Sequence, residues 1–209
     1  MPQIWCGVST RLLRPTYGGK MKFIVSLFLV LSSTVALAGL GDDFAKLKDV
    51  AGTADYEVVG TVCEQVAKLR FEEEFPAGRY TVTTGVEYGD GRRTIGELDV
   101  VVLENLTSRV VRVTEVKCWK DFGGALKKAR EQRNRFIRTL KSNIPIKFKS
   151  LSSNLVFKKQ NFANVKEYMA VAQKGSKNAG FDRELSYDLK ELMQLRMMMI
   201  QCQHQGVCR

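Results

Sequence analysis

Apolar positions recur along the chain with two different periods, and their order predicts the secondary structure. Residues 55–74 carry apolar side chains at helical spacing, and Pro76-Ala77-Gly78 ends this first helix. Its predicted packing positions are Val58, Val59, Val62, Val66 and Leu69. Residues 125–140 show the helical pattern again, after a predicted break at Gly123-Gly124. The packing side of this second, basic helix comprises Leu126, Ala129, Phe136, Ile137 and Leu140.

The segments between these helices have the composition of β-strands. Residues 79–88 are rich in Thr, Tyr and Val, and Gly89-Asp90-Gly91 supplies residues that tolerate the positive φ angles of a tight turn. Residues 94–104 and 109–118 follow, joined by Asn105-Leu106-Thr107-Ser108, and form a second hairpin. The pattern therefore predicts three consecutive strands between two helices.

The remaining pattern is shorter and more mixed. Residues 142–164 alternate apolar side chains with Lys and Ser and are predicted to be extended or looped, and residues 168–172 are a candidate fourth strand. Ser186 is the predicted N-cap of a final helix. Its predicted packing positions are Leu189, Leu192, Met193 and Met197. The order of helix, three strands, helix, strand and helix indicates an α/β (α+β) fold.

The first 38 residues have the pattern of a leader. Met21 and Lys22 precede an apolar run that ends at Ala36-Leu37-Ala38, so residues 21–38 are predicted to be a signal peptide, cleaved after Ala38. The alternative is a retained membrane anchor, but the run of about 16 residues is shorter than the roughly 20 that span a bilayer. Residues 1–20 are interpreted as a non-native upstream extension.

Residues 39–209 are predicted to form a single domain. Its core lies at about residues 55–173, and a C-terminal helix with a cysteine-containing tail occupies residues 182–209. A composition of 44% hydrophobic and 26% charged residues is typical of a globular protein.

The charge of the chain indicates a polyanionic partner. The full chain carries a formal charge of +11, and removal of residues 1–38 leaves 29 basic against 22 acidic residues, or +7. Twelve basic residues lie between Lys120 and Lys159, where only Asp121 and Glu131 oppose them. This segment is therefore predicted to face DNA, RNA or anionic lipid.

Charged residues occupy matching positions on two of the predicted strands. Because alternate residues of a strand share a face, Glu97 and Asp99 lie on one face of the second strand. Glu115 and Lys117 share a face of the third strand in the same way, together with Val111 and Val113. Each strand thus carries apolar residues toward the turn and charges at its other end.

The register of this hairpin predicts a conflict between charges. If Leu103 pairs with Val111, then Asp99 lies opposite Glu115. Two carboxylates facing each other beside an apolar surface are destabilising. A bound divalent cation between them would remove the repulsion.

The residue types suit magnesium, with manganese as an alternative. Mg²⁺ prefers oxygen ligands, which Asp99, Glu115 and the carbonyl of Val116 can provide together with a substrate phosphate. The ammonium of Lys117 would orient or help deprotonate an attacking water, while the cation stabilises charge on the phosphate oxygens. The alternative is that Glu115 and Lys117 form an ordinary surface ion pair worth about 0–1 kcal/mol.

Two segments of the chain together resemble a known superfamily. Gly96-Glu97-Leu98-Asp99-Val100-Val101-Val102 and Val113-Thr114-Glu115-Val116-Lys117, separated by a turn, are similar to the motifs of the PD-(D/E)XK, restriction-endonuclease-like nucleases. The GE(I/L)D and (V/T)EVK strands of small bacterial predicted endonucleases and archaeal Holliday-junction resolvases are the nearest patterns. The resemblance covers about residues 55–140 and implies an α-β-β-β-α-β core with a mixed sheet flanked by helices.

The resemblance also implies roles for individual residues. Asp99 and Glu115 would bind the metal, and Lys117 would be the catalytic lysine. An acidic residue of the first helix commonly completes the metal site in this superfamily. Glu64 is the candidate and Glu57 the fallback, and the alternative for either is a solvated helix charge.

The second helix offers residues for the substrate. The resemblance places Gln132 near the substrate backbone, although it could be a simple polar helix residue. Lys120, Lys128, Arg133 and Arg135 are candidates for phosphate contacts, whereas the alternative is a solvated basic face.

Four cysteines follow residue 38, namely Cys63, Cys118, Cys202 and Cys208. An even number in an oxidising compartment predicts two disulfides, for which three connectivities exist. The bond from Cys202 to Cys208 is the local option, and metal binding by these two with His204 is the alternative. A bond between Cys63 and Cys118 would tie the first helix to the third strand, but alternation puts Cys118 on the face opposite Lys117. The connectivity therefore stays open.

These patterns predict an exported, Mg²⁺-dependent endonuclease with low sequence specificity that hydrolyses phosphodiester bonds of DNA, with RNA as an alternative substrate. A location in the periplasm or outside the cell follows from the predicted signal peptide. The second hypothesis is an exported nucleic-acid-binding protein without catalytic activity. A third is an envelope protein that binds anionic lipid, although no basic amphipathic helix with a wide apolar face is evident.

Overall fold

A computed structural model describes residues 39–52 and 54–208. The predicted upstream extension, the signal peptide and its cleavage site after Ala38 lie outside the described residues. The chain from residue 40 onward forms one compact unit. Within the described part of the chain, every helix is too short or too polar to cross a membrane.

The centre of the protein is an open, mixed sheet of six strands in the order β4-β1-β2-β3-β5-β6. The pairs β4–β1, β1–β2 and β2–β3 are antiparallel. β5 runs parallel to both β3 and β6. The predicted α/β class is confirmed at this level. The strands are β1 Tyr80–Gly89, β2 Thr94–Glu104, β3 Arg109–Lys117, β4 Lys147–Ser150, β5 Glu167–Ala172 and β6 Arg183–Glu184.

Helices cover both faces of this sheet. Helix α1 covers residues 39–49 and was not predicted, although Leu40, Phe44 and Leu47 have helical spacing and pack in the core. The other helices are α2 Thr61–Glu74, α3 Phe122–Lys141 and α4 Leu189–His204. Buried residues of α1, α2 and α4 form one hydrophobic cluster with one face of the sheet, and those of α3 contact the other face. Short 3₁₀ helices span Lys159–Phe162 and Ser176–Ala179.

The first predicted helix begins six residues later than expected, at Thr61 rather than Asp55. The carboxylate of Asp55 accepts a hydrogen bond from the backbone N–H of Glu57 at 2.9 Å, which holds this segment in a turn. Val58 and Val59, predicted to pack, are 57% and 51% exposed. Glu57 therefore lies outside the helix on which it was predicted.

The start of α3 also differs from the prediction. Gly123-Gly124 does not break the helix but lies in its first turn, since α3 begins at Phe122. A Cβ atom at Gly124 would collide with the carboxylate of Asp121, which folds over the start of the helix. A side chain at position 124 would therefore require the Asp121 carboxylate to move away from the start of the helix.

The β2–β3 hairpin contains an irregularity that the prediction missed. Leu103 pairs with Val110, not with Val111, because a β-bulge lies between Val102 and Leu103. The extra residue on β3 is Val111, whose carbonyl accepts a hydrogen bond from the backbone of Lys166 at 3.2 Å. A bulge reverses the alternation of side chains. Val111 accordingly packs with the cluster of α2, on the face opposite Val113.

The last helix is capped by a residue other than the predicted one. Asp188, not Ser186, is the N-cap of α4, and its side chain accepts a hydrogen bond from the backbone N–H of Glu191 at 2.8 Å. The Glu191 side chain accepts from the Asp188 N–H in return, which completes a capping box. Met197, predicted to pack, is 58% exposed.

Replacing Asp188 by Ala is expected to lower the free energy of unfolding by about 1 kcal/mol, because it removes the N-cap of α4. Urea denaturation followed by circular dichroism measures this change. Ser186→Ala is the matched control and should change the value by less than about 0.5 kcal/mol. A larger loss for Ser186→Ala than for Asp188→Ala would contradict the assignment of the cap.

Candidate active site

The candidate site lies where β2 and β3 separate. Their ladder ends at the pair of Val100 and Thr114, and the next residue on β2 is Asp99. The carboxylate of Asp99 accepts the backbone N–H of Val116 at 2.6 Å, which satisfies a donor of β3 that no longer pairs with β2. A buried side chain therefore replaces part of the sheet at this point.

Lys117 binds the same carboxylate. Its ammonium donates to Oδ2 of Asp99 at 2.7 Å and to the carbonyl of Val116 at 2.9 Å. The ammonium also lies 3.7 Å from the carboxylate of Glu115. All three charged side chains are largely buried, with 8%, 11% and 3% of the Asp99, Lys117 and Glu115 side chains exposed. The structure thus brings the predicted triad of Asp99, Glu115 and Lys117 together.

The carboxylate of Glu115 stands out because it is buried without hydrogen bonds. Neither of its oxygens has a hydrogen-bond partner within the described residues. Burial and the nearby charge of Asp99 raise the pKa of Glu115 to about 8, although Lys117 counteracts this effect. A buried carboxyl group of this kind favours protonation unless a further cation compensates its charge.

Glu64 of α2 belongs to the same electrostatic group. Burial raises its pKa to about 8, and the charges of Asp99 and Glu97 act in the same direction. Its carboxylate lies over Gly60, where a Cβ atom would come within 3.2 Å of Oε1. The predicted acidic residue of the first helix is therefore near the triad.

Glu97 also belongs to this group, although it was not predicted as a site residue. It is half-buried, and burial together with the charges of Asp99 and Glu87 raises its pKa. The signal was its position two residues before Asp99, on the same predicted face of β2. Burial alone would lower the pKa of Lys117, but the charges of Asp99, Glu115 and Glu64 raise it, so its ammonium stays charged at neutral pH.

A cavity of about 280 Å³ lies next to Lys117. α2, β3 and α3 all contribute to its wall, which includes Glu64, Lys117, Trp119, Lys128 and Gln132. The side-chain oxygen of Gln132 is buried without a hydrogen-bond partner among the residues that the structure describes. Gln132 and Lys128, which were predicted to contact the substrate, thus line the same cavity as Lys117.

The other predicted phosphate-binding residues are more dispersed. Arg135, one turn beyond Gln132, is close enough to Glu115 to oppose the rise of its pKa. Arg133 lines a separate small pocket beside Met169 and does not line the cavity next to Lys117. Lys120 is exposed just after β3. The geometry therefore favours Lys128 and Arg135 over Arg133 as neighbours of the site.

Two pairs of cysteines lie at disulfide distance, Cys63 with Cys118 and Cys202 with Cys208. The Cα atoms of the first pair are 6.4 Å apart. Cys118 lies two residues after Val116 on the face opposite Lys117, and α2 covers this face, so Cys118 reaches Cys63 within the same hydrophobic cluster. The neighbours of this pair in the sequence are Glu64 and Lys117, so it ties α2 to the end of β3 at the site.

Glu57, the fallback for Glu64, lies elsewhere. Its carboxylate is 3.8 Å from Arg196 and 3.4 Å from His204, both on α4. His204 is 71% exposed, and its predicted metal-binding neighbours Cys202 and Cys208 are paired with each other. Glu57 therefore supports the contact of the turn with α4 and takes no part in the triad.

The acidic residues at the site fit a divalent cation, although the described residues contain no cluster of three or more His, Cys, Asp or Glu side chains arranged as metal ligands. The fit rests on the two unpartnered oxygens of Glu115, since hard cations bind carboxylate oxygens. In this structure the ammonium of Lys117 supplies the positive charge beside Asp99.

Comparison with family models, curated proteins and solved structures finds no match to this chain. The resemblance to the PD-(D/E)XK superfamily therefore rests on the two strand motifs around Asp99 and Lys117.

Replacing Glu115 by Gln is expected to stabilise the metal-free protein at alkaline pH. An unfolded glutamate ionises near its ordinary pKa of 4.5 and the folded one near 8, so the wild type loses stability as pH rises between these values. The variant avoids this loss. Its free energy of unfolding should exceed that of the wild type by about 1–3 kcal/mol above pH 8 and match it near pH 4.

Urea denaturation in EDTA measures this difference. Glu131→Gln changes an exposed carboxylate of α3 and is the control, for which no comparable pH effect is expected. Identical pH dependence of stability in Glu115→Gln and the wild type would contradict the assignment of a buried, unpartnered Glu115.

The two cysteine pairs are expected to differ in their effect on stability. The first closes a loop of 55 residues and the second a loop of six, and a longer loop restricts the unfolded chain more. Replacing Cys63 and Cys118 together by Ser should cost about 4 kcal/mol, against about 2 kcal/mol for Cys202 and Cys208. Denaturation of the two double variants compares these losses, and the reverse order would contradict the pairing.

Proposed function

We propose that this chain is an exported, Mg²⁺-dependent endonuclease that hydrolyses phosphodiester bonds of DNA with low sequence specificity, and that RNA is its second substrate. One observation carries the proposal. Asp99, Glu115 and Lys117 are buried together where β2 and β3 separate, and both oxygens of Glu115 lack a hydrogen-bond partner within the described residues. A chain selected only for stability would avoid this arrangement.

The order of elements supports a restriction-endonuclease-like fold. The described chain runs α2-β1-β2-β3-α3 and then, after the short strand β4, to β5. This is the α-β-β-β-α-β order that the motif resemblance implies, with β4 added at the edge beside β1. Within this proposal, α1 and α4 are additions that cover the face of α2.

Each residue of the site has a separate role in the proposed reaction. Asp99, Glu115, Glu64 and the carbonyl of Val116 would hold Mg²⁺ or Mn²⁺, which when bound stabilises the charge that develops on phosphate oxygens. Lys117, charged at neutral pH, would orient the attacking water and donate a hydrogen bond to the phosphate. Gln132 and Lys128 line the same cavity and would position the substrate backbone.

The cysteine pairs support the proposed location. Disulfides form and persist in oxidising compartments such as the periplasm and the cell exterior. Both pairs lie in the part of the chain after the proposed signal peptide, so export through residues 21–38 would deliver the enzyme to an environment in which Cys63 and Cys118 can bond. We place the enzyme in the periplasm or outside the cell.

Cleavage of supercoiled plasmid tests the activity. The mature protein should nick and linearise DNA with Mg²⁺ or Mn²⁺ and not with EDTA, and a parallel reaction with RNA tests the second substrate. Lys117→Ala is expected to lose roughly 10²–10⁴-fold in rate, because it removes the group that orients water and phosphate. Glu64→Gln should lose activity in the same range.

Glu57→Gln is the matched control, since Glu57 is the acidic residue of the preceding turn that contacts α4 instead of the site. It should keep the wild-type rate. Equal cleavage by Lys117→Ala and wild type would refute the proposed nuclease activity. The absence of cleavage by wild type with either metal would refute it as well. If the wild type binds DNA but does not cleave it, the hypothesis of an inactive nucleic-acid-binding protein would be favoured.

A further inference from the structure

A second cleft, of about 350 Å³, lies at the tip of the β1–β2 hairpin, beside β4. Four basic side chains line this cleft, called the basic cleft below, namely Arg92, Arg93, Lys147 and Lys149. Glu87, the cross-strand neighbour of Lys149, is the acidic residue in the lining. The two arginines belong to the turn after β1 and the two lysines to β4, far away in the sequence. The cleft therefore exists only because β4 pairs with β1, from Val86 to Gly89.

Glu87 and Asp90 compensate only part of the positive charge of the basic cleft, which carries four cations. Asp90 uses one carboxylate oxygen to accept the backbone N–H groups of Arg92 and Arg93, at 2.8 and 3.1 Å. Its contact with the Arg93 guanidinium is long, at 3.6 Å, and that arginine side chain is 80% exposed. Arg92 and Lys147 have no ion-pair partner in the described part of the chain. These cations are thus free to bind an anion.

The side chain of Lys147 on β4 lies across the turn at Gly91. Gly91 has a φ of +86°, and the Lys147 side chain crosses it so closely that a Cβ atom would lie 3.1 Å from the lysine Cδ and Cε. Phe148 stacks on Phe162 at 4.7 Å between ring centroids, which anchors β4. The lysine stem therefore lies over Gly91, and the Lys147 side chain remains exposed.

The cleft lacks the features of a site that reads bases. Of the aromatic residues in its lining, Tyr88 is 2% exposed and packs against Phe136, and Phe148 is stacked on Phe162. Neither face is open to stack on a base, and the available groups are cations that suit phosphate oxygens. The expected ligand is consequently a phosphodiester backbone and not a particular sequence.

The distance between the basic cleft and the triad indicates where a bound duplex would contact the cleft. The strand β2 runs five residues from Thr94, which lines the cleft, to Asp99, a distance of about 17 Å. That length corresponds to about five base pairs along a duplex. We propose that the basic cleft binds the phosphate backbone of the substrate about five base pairs from the bond that is cut. This inference rests on the proposed nuclease function.

Binding in EDTA tests the cleft separately from catalysis. Fluorescence anisotropy with a labelled duplex of about 20 base pairs should show Arg92→Ala/Lys147→Ala binding about tenfold more weakly than wild type. The slope of log affinity against log salt concentration should fall in magnitude by about two. Lys174→Ala/Lys190→Ala removes the same charge from two exposed lysines outside the cleft, so it should bind within twofold of wild type. Equal losses in the two double variants would overturn the inference.

Cleavage kinetics separate the binding of long DNA from the chemical step. Arg92→Ala/Lys147→Ala should raise KM for long DNA about tenfold and leave kcat nearly unchanged. Hydrolysis of bis(4-nitrophenyl) phosphate, too small to reach the cleft from the triad, should be unaffected. A matching loss on this small diester would overturn the inference. Failure of the wild type to cut DNA, with the binding difference retained, would refute the nuclease function and leave the cleft as a nucleic-acid site.

Discussion

The contact on which the rest of the site depends is the hydrogen bond from the backbone of Val116 to the carboxylate of Asp99. A β-ladder normally satisfies such a group with the neighbouring strand. Here β2 and β3 separate after Val100, and a buried acid takes over the donor. The carboxylate of Asp99 also binds the ammonium of Lys117. Burial, together with the negative charge of Asp99, raises the pKa of Glu115 and Glu64.

This arrangement costs stability in the metal-free protein. Buried carboxylates that favour protonation and the unpartnered oxygens of Glu115 and Gln132 oppose folding. The surrounding structure compensates with two extensive hydrophobic layers and with the Cys63–Cys118 pair directly beside the site. Sites that bind charged ligands commonly combine strained electrostatics with a rigid frame.

The charge of the protein is organised on a larger scale than the motif alone indicates. Lys128 and Gln132 border the cavity beside Lys117, and the basic cleft lies at the far end of β2. Under the proposed function, a nucleic-acid backbone that binds at both places would contact cations at two separate points. Electrostatic binding at separated points is how non-specific nucleic-acid enzymes hold a substrate without reading its bases.

The sequence by itself determined the order of the main elements and the identity of the triad, because strand periodicity and the spacing of Asp99, Glu115 and Lys117 are local properties. Tertiary structure alone decided the rest. The bulge at Val111 appears only when β3 meets β2 and the segment before β5. Helix α1 is different, because the helical spacing of Leu40, Phe44 and Leu47 is present in the sequence although the helix was not predicted. The choice between Glu57 and Glu64 depended on where α2 begins, which is after a turn in which Asp55 accepts the N–H of Glu57. The partner of Cys63 and the basic cleft depend on contacts between distant segments, and no local pattern encodes such distances.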